Sequence, residues 1–189
     1  VLLAKGFDGA YVHRVMQLVS GGHTAVLVNG FISNFFANGR GLRQGDPASP
    51  ILFNFVADAF SCMLSRATCC GHIAPVVSHL LLEGVSHLQY ADDTIILVEL
   101  DDTCIANLKF ILLCFEAVSG LKINFAKSED LVTGVDEAEA LRVARLLNCS
   151  LGSFPFKYVG LPISPGVLHA KDLALAVAKV GNRVLPWRG

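Results

Sequence analysis

Residues 85–98 read VSHLQYADDTIILV, and the placing of the adjacent pair Asp92-Asp93 within them decides the fold. Two short apolar runs, 88–90 and 94–98, flank the acids. The second, Thr-Ile-Ile-Leu-Val, is β-branched and too short for a helix. The stretch therefore predicts a strand, a tight turn carrying the carboxylates, and a returning strand. Asp suits such a turn because its side chain hydrogen-bonds nearby backbone, and a solvent-facing turn is the plain reading of the pair. A hairpin tip that holds two carboxylates side by side also suits a hard divalent cation. Mg²⁺ takes oxygen ligands, keeps several waters, and is completed by one or two carboxylates plus substrate phosphates. Two such ions ~3.5–4 Å apart can clamp the attacking and leaving oxygens of a phosphoryl transfer.

Outward from this stretch, the 189 residues suit one domain with a substantial core. Hydrophobic residues make up 53% and the mean hydropathy is +0.54. Both are high for a free-standing domain, so part of the apolar surface is expected to lie against protein outside this chain. The uncharged stretch 67–82 contains Gly71 and Pro75 and is too short to span a membrane. Val1-Leu2-Leu3 is followed at once by Lys5 and Gly6, which is no secretory signal. Cysteines 62, 69, 70, 104, 114 and 149 form no Cys-x-x-Cys pair and fit a reducing setting. The expected location is intracellular, neither secreted nor at a membrane. A net charge of -1 runs against the basic face of a nucleic-acid enzyme. There is no His-Glu-x-x-His, no Gly-x-Ser-x-Gly and no repeat.

Along the chain, Asp8-Gly9 starts a helix whose Val12, Val15, Met16 and Val19 recur at helical spacing before Gly21-Gly22 ends it. Asn29-Gly30, between residues 24–28 and 31–36, is a hairpin signal. Residues 39–50, GRGLRQGDPASP, carry no periodicity and form a loop, after which Ser49 is expected to cap a long helix with Pro50 at its first position. Glycines turn chains, but they also let backbone approach a ligand. Arg43, Gln44 and Gly45 at a helix N-terminus offer a guanidinium, an amide and backbone dipoles to a nucleotide. Further on, Asp101-Asp102-Thr103 starts a helix with an apolar stripe of Ile105, Leu108, Ile111, Leu112, Phe115 and Val118, closed by Gly120. Asp136-x-x-Glu139 is a capping-box variant before a helix to Leu147. A strand and turn at 154–162 and a last helix over about 171–184 follow.

Four blocks, in order, resemble reverse transcriptases of the non-LTR retrotransposon and group II intron kind. They are Gly-Leu-Arg-Gln-Gly-Asp-Pro-Ala-Ser-Pro (41–50), Tyr-Ala-Asp-Asp (90–93), Gly-Leu-Lys-Ile-Asn-Phe-Ala-Lys-Ser (120–128) and Tyr-Val-Gly (158–160). Ala48 and Val159 each stand where that family usually has Leu. The framing is most similar to plant non-LTR elements.

The resemblance implies an α+β, polymerase palm-like fold: an antiparallel sheet with helices packed mainly on one face, fingers and thumb incomplete. It divides the chain into a fingers/palm segment (1–70), the palm with its acidic hairpin (71–165), and the start of the thumb or a connection (166–189). It implies an RNA-directed DNA polymerase in the intact parent, using Mg²⁺ or Mn²⁺, an RNA template, a DNA primer, dNTPs and the remaining parts of the same polyprotein. Asp92 and Asp93 become the catalytic and metal-binding residues. Arg43, Gln44, Gly45 and Lys127 become nucleotide- or template-binding, and Tyr158, Val159 and Gly160 the primer grip. For Lys127, an exposed lysine in a connecting loop is the alternative reading. The family's third carboxylate lies in an earlier block. Phe7-Asp8 imitates that block, but Gly6 and Gly9 around it suit a turn, and Asp8 is expected to cap the first helix. The chain by itself is therefore expected to be inactive. The competing class is a degenerate retroelement remnant that binds or packs without catalysis.

Overall fold

The computed structural model describes residues 1–39, 41–76 and 84–184. Arg40 of the glycine loop, 77–82 of the uncharged stretch with Glu83 after it, and 185–189 lie outside the described residues. The chain forms two compact units, Val1–Ile123 and Asn124–Gly189.

The first unit opens with a 3₁₀ turn, Leu3–Lys5, and helix α1 (Gly9–Ser20). Asp8 is the N-cap of α1, its carboxylate accepting from the Ala10 N–H at 3.1 Å, as the sequence predicts. Val12, Val15 and Val19 are half-buried, while Met16 on the same stripe is exposed. A ribbon follows: β1 (His23–Thr24), β2 (Leu27–Val28), β3 (Phe31–Ile32) and β4 (Phe36–Ala37). Asn29 (φ 50) and Gly30 (φ 84) join β2 to β3, the backbone that a type I′ hairpin requires. Between the inner and outer strand pairs, residues 25–26 oppose 33–35, so the returning strand carries a one-residue bulge. The Ser33 hydroxyl accepts the Val26 N–H there at 2.9 Å.

Helix α2 (Ser49–Cys69), the hairpin β5 (His87–Tyr90) and β6 (Asp93–Ile96), and helix α3 (Asp102–Ser119) complete this unit. Phe60, Leu64 and Ala67 on α2, Ile73, and Cys104, Ile105, Leu108 and Leu112 on α3 are its buried apolar residues. Their i, i+4, i+7 spacing puts one face of each helix against the other, and the rings of Phe60 and Phe115 meet at 4.5 Å. The expected stripe on α3 is shorter at its end than the periodicity implies, since Val118 is 78% exposed. Asp101 caps α3 through the Cys104 N–H, and Gly120 (φ 72) closes it.

The second unit holds β7 (Glu129–Asp130), α4 (Glu137–Leu147), β8 (Ser150–Leu151), β9 (Phe156–Tyr158), β10 (Leu161–Ile163) and α5 (Ala170–Val184). Ala140, Val143, Ala144 and Leu147 of α4 form its buried centre, and α4 packs on both β7 and β8. The capping box forms by half. Asp136 accepts from the Glu139 N–H at 2.9 Å, while the Glu139 carboxylate turns away to a two-point pair with Arg142.

The expected antiparallel pairing is found as small separate sheets. Among the described residues the strands make five separate two-stranded pairs, four antiparallel and one parallel (β7 with β8). Strands of two to four residues offer too few ladder bonds and too little apolar face to recruit a further neighbour. The protein is thus a mixed helix and sheet fold with small antiparallel sheets.

Candidate functional site

The acidic hairpin forms where the sequence places it, with one refinement. Tyr90 pairs with Asp93, so the turn is the dipeptide Ala91-Asp92 and Asp93 already belongs to β6. Both carboxylate residues are exposed. Ala91 has φ 53, the left-handed region in which a Cβ meets the following carbonyl at a cost of about 1–2 kcal/mol. Strain of this kind persists only where surroundings hold it, and it gathers at functional turns.

The loop before α2 is built around a turn in which the Asp46 N–H donates to the Arg43 carbonyl at 3.4 Å, with Gly45 at φ 82. A positive φ at the third residue makes this a type II turn, which is why Gly stands at 45. Arg43, Gln44 and Gly45 are all exposed on it. Ser49 is not the cap of α2. The N-cap position is Ala48, and the Asp46 carboxylate accepts the Ala48 N–H at 2.8 Å. That bond starts the helix one residue early and frees the Ser49 hydroxyl to donate back to the Arg43 carbonyl at 2.7 Å. The loop is thereby pinned to the helix it opens. Gly41 and Leu42 also edge an apolar cleft of about 860 Å³, lined chiefly by α1, α2 and the end of α3 and including neither Asp92 nor Asp93.

Two links orient the hairpin relative to α2. At its open end, the Val85 N–H donates to the Val76 carbonyl and the Glu99 N–H to the Ala74 carbonyl, in the segment just past the C-terminal end of α2. Farther along, Ser61 of α2 meets His87 of β5 through Nε2 at 2.6 Å. The base of the hairpin and His87 of β5 are thus both tied to α2 and the segment that follows it. The Ser86 hydroxyl bonds the other ring nitrogen, Nδ1, at 2.9 Å. Burial holds the His87 pKa below the usual histidine value. Neither Ser61 nor His87 is part of a motif. The only sequence signal is that His87 and Gln89 share one face of an alternating strand, and this is the half-buried face, with Leu88 and Tyr90 outward.

The other sequence-selected residues lie in the second unit. Lys127 is exposed at the end of the 3₁₀ turn Phe125–Lys127. Tyr158 pairs with Leu161, so Val159 (φ 51) and Gly160 (φ 85) are the two turn residues of the β9–β10 hairpin. Among the described residues, no three His, Cys, Asp or Glu side chains stand together as a metal cluster, and no helix is long and apolar enough to cross a membrane.

Residues 6–163 match the family model described as reverse transcriptase (RNA-dependent DNA polymerase). The chain is 32% identical over 134 residues to the retrovirus-related Pol polyprotein from type-2 retrotransposable element R2DM of Drosophila melanogaster, covering 67% of this chain and 11% of that protein. It is 25% identical to the transposon TX1 149 kDa protein of Xenopus laevis, covering 100% of this chain and 14% of that protein. It is 35% identical over 68 residues to an uncharacterized mitochondrial protein of Arabidopsis thaliana, covering 36% of this chain and 56% of that protein. The relatives thus come from an insect, a frog and a plant, and the two polyproteins are far longer than this chain. With the family model matched across both its hairpin of carboxylates and its glycine loop, the chain belongs to the reverse transcriptase family, and its polyprotein relatives are non-LTR retrotransposon proteins.

Proposed function

We propose that the chain is the palm-like segment of an RNA-directed DNA polymerase, which in its intact parent extends a DNA primer on an RNA template. The observation that supports this reading is the adjacent, exposed pair Asp92 and Asp93 at the strained two-residue turn of a hairpin. Adjacent exposed carboxylates match the ligand demand of Mg²⁺ or Mn²⁺, which one or two protein oxygens and substrate phosphates satisfy. Asp92 and Asp93 are the residues that would hold the metal. When bound, such ions stabilise the attacking and leaving oxygens of nucleotidyl transfer.

The chain's own groups take the remaining roles. The Arg43 guanidinium offers a planar fork to phosphate oxygens. Gly45, without a Cβ, lets the turn backbone approach the nucleotide, and Gln44 offers amide donors and an acceptor beside it. Lys127 is proposed to stabilise charge on the departing pyrophosphate, and Tyr158, Val159 and Gly160 to hold the primer strand. Residues 1–70 then serve as fingers and palm, 71–165 as palm, and 166–189 as the start of the thumb or a connection. We further propose that the 189-residue chain alone does not extend a primer, because two carboxylates without a third leave the developing charge poorly stabilised.

The test uses the chain and its parent polyprotein. Mn²⁺ added to the chain should broaden the amide resonances of residues 91–94 first, and Asp92→Asn should remove that selectivity. In the parent, Asp92→Asn should abolish primer extension while template binding persists. Extension by the 189-residue chain above a no-enzyme control would overturn the inactivity, and extension by the parent variant at the unsubstituted rate would overturn the role of Asp92. A second reading, a remnant that packs against other protein without catalysis, is favoured by the apolar ribbon, whose Phe31 is 81% exposed. An inactive parent with intact folding supports that one.

A further inference from the structure

Hairpin β5–β6 has no third strand beside it among the described residues, and an isolated two-stranded ribbon is marginal in water. Among the described residues its backbone hydrogen bonds to the rest of the unit, Val85 to Val76 and Glu99 to Ala74, are at the open end. The tip residues Asp92 and Asp93 are exposed, yet a metal and nucleotide site needs its groups held within about 0.5 Å. Among the described residues, a side-chain hydrogen bond links the hairpin to α2 partway along β5, where Ser61 meets His87 Nε2 at 2.6 Å and Ser86 meets Nδ1 at 2.9 Å.

We propose that Ser61, His87 and Ser86 form a brace that fixes the Asp92 and Asp93 tip against the loop opening α2, making His87 a positioning residue of the candidate site. The inference rests on the polymerase reading for its purpose, but the brace itself is a statement about geometry. A neutral imidazole suits it, because one ring nitrogen donates and the other accepts, and each serine hydroxyl can turn to match. An imidazolium must place a charge in a half-buried position, and it leaves both serines as acceptors only. The titratable and charged groups on the neighbouring elements are Asp58, Cys62, Arg66 and Cys69 on α2, Asp93 on β6, and Glu99 beyond it. Asp58 is held by Lys5, and burial alone, with no charged neighbour, accounts for the lowered His87 pKa.

The test measures the distance between spin-labelled amino acids at Ala48 and Tyr90 in the full chain by pulsed electron-spin resonance. A single narrow distance is expected at pH 8 and should persist through the ordinary histidine pKa of about 6.5, broadening only at lower pH because burial lowers the His87 pKa. In His87→Phe the distribution should be broad at every pH. In His87→Gln, whose amide can still reach Ser61, it should be narrow and independent of pH. Ser61→Ala should broaden it while leaving α2 and α3 protected from hydrogen exchange, which keeps the test valid if His87→Phe folds poorly. Narrow distributions in both Ser61→Ala and His87→Phe would overturn the brace. Failure of Mn²⁺ to find residues 91–94 would overturn the polymerase reading instead and leave the distances unaffected, so the two failures are told apart.

Discussion

Val159 and Ala91 both hold a positive φ, at 51 and 53, where a side chain is disfavoured. Val159 is the costlier of the two because its branched Cβ crowds the same carbonyl, and it stands at the first position of a type I′-like turn that favours Asn. Val159→Asn should therefore stabilise the second unit by about 1 kcal/mol, seen as a higher denaturant midpoint. A lower midpoint would mean that the valine makes a contact worth more than its strain. Asp130 behaves differently. Its Oδ2 is buried without a hydrogen-bond partner among the described residues, and burial raises its pKa above the ordinary 3.8. The folded state then holds its proton more tightly than the unfolded chain, so the stabilising contribution is fully present below pH 3.8 and is lost as pH rises through the folded pKa. Asp130→Asn should remove that loss and make the second unit more stable at neutral pH, as read from melting curves at pH 4 and 7. Burial, with the Asp130 charge added to it, pushes the neighbouring Cys149 thiol up, and the substitution should bring it down part of the way.

Helix ends show how one side chain decides an element. Asp136 alone satisfies the Glu139 N–H at the start of α4, since Glu139 is taken by Arg142. Asp136→Ala should cost about 1 kcal/mol and speed amide exchange in the first turn of α4, whereas an unchanged rate would show that the pair with Arg142 suffices. At α2 the N-cap position is Ala48, which offers no side-chain cap bond, while the Asp46 carboxylate accepts the Ala48 N–H in the turn before the helix. The consequence is functional as much as structural: loop and helix share bonds through Arg43 and Ser49, so the candidate nucleotide loop moves with α2.

For the whole molecule, the division into Val1–Ile123 and Asn124–Gly189 makes a direct claim about cooperativity. Leu64 is 0% exposed in the first unit, so Leu64→Ala should cost about 2–5 kcal/mol there. Hydrogen exchange should report that loss in α2 and α3 and leave α4 in the second unit unchanged. A uniform loss across both units would mean that they fold as one. The apolar surface belongs to this scale as well. Val28, Phe31, Ile32, Phe35 and Phe36 are all exposed, within a run, 15–39, that carries no Asp, Glu, Lys or Arg. This is where the high apolar content read from the composition is found.

The sequence by itself determined the local elements whose causes are local. Asn29-Gly30 imposes its turn through backbone sterics, Asp8 and Asp101 cap their helices through bonds two or three residues away, and the β-branched run after Asp93 admits a strand but no helix. It also determined the family, since four motifs in order survive without any knowledge of contacts. The tertiary structure decided what depends on partners distant in the chain. Periodicity named a stripe on α3 but not that Val118 would find nothing to cover it. Alternating residues predicted strands but not that each pair would stay alone, because sheet growth depends on edges meeting in space. Ser61 and His87 are 26 residues apart and carry no motif, so their meeting became visible only when the helix and the strand were packed together.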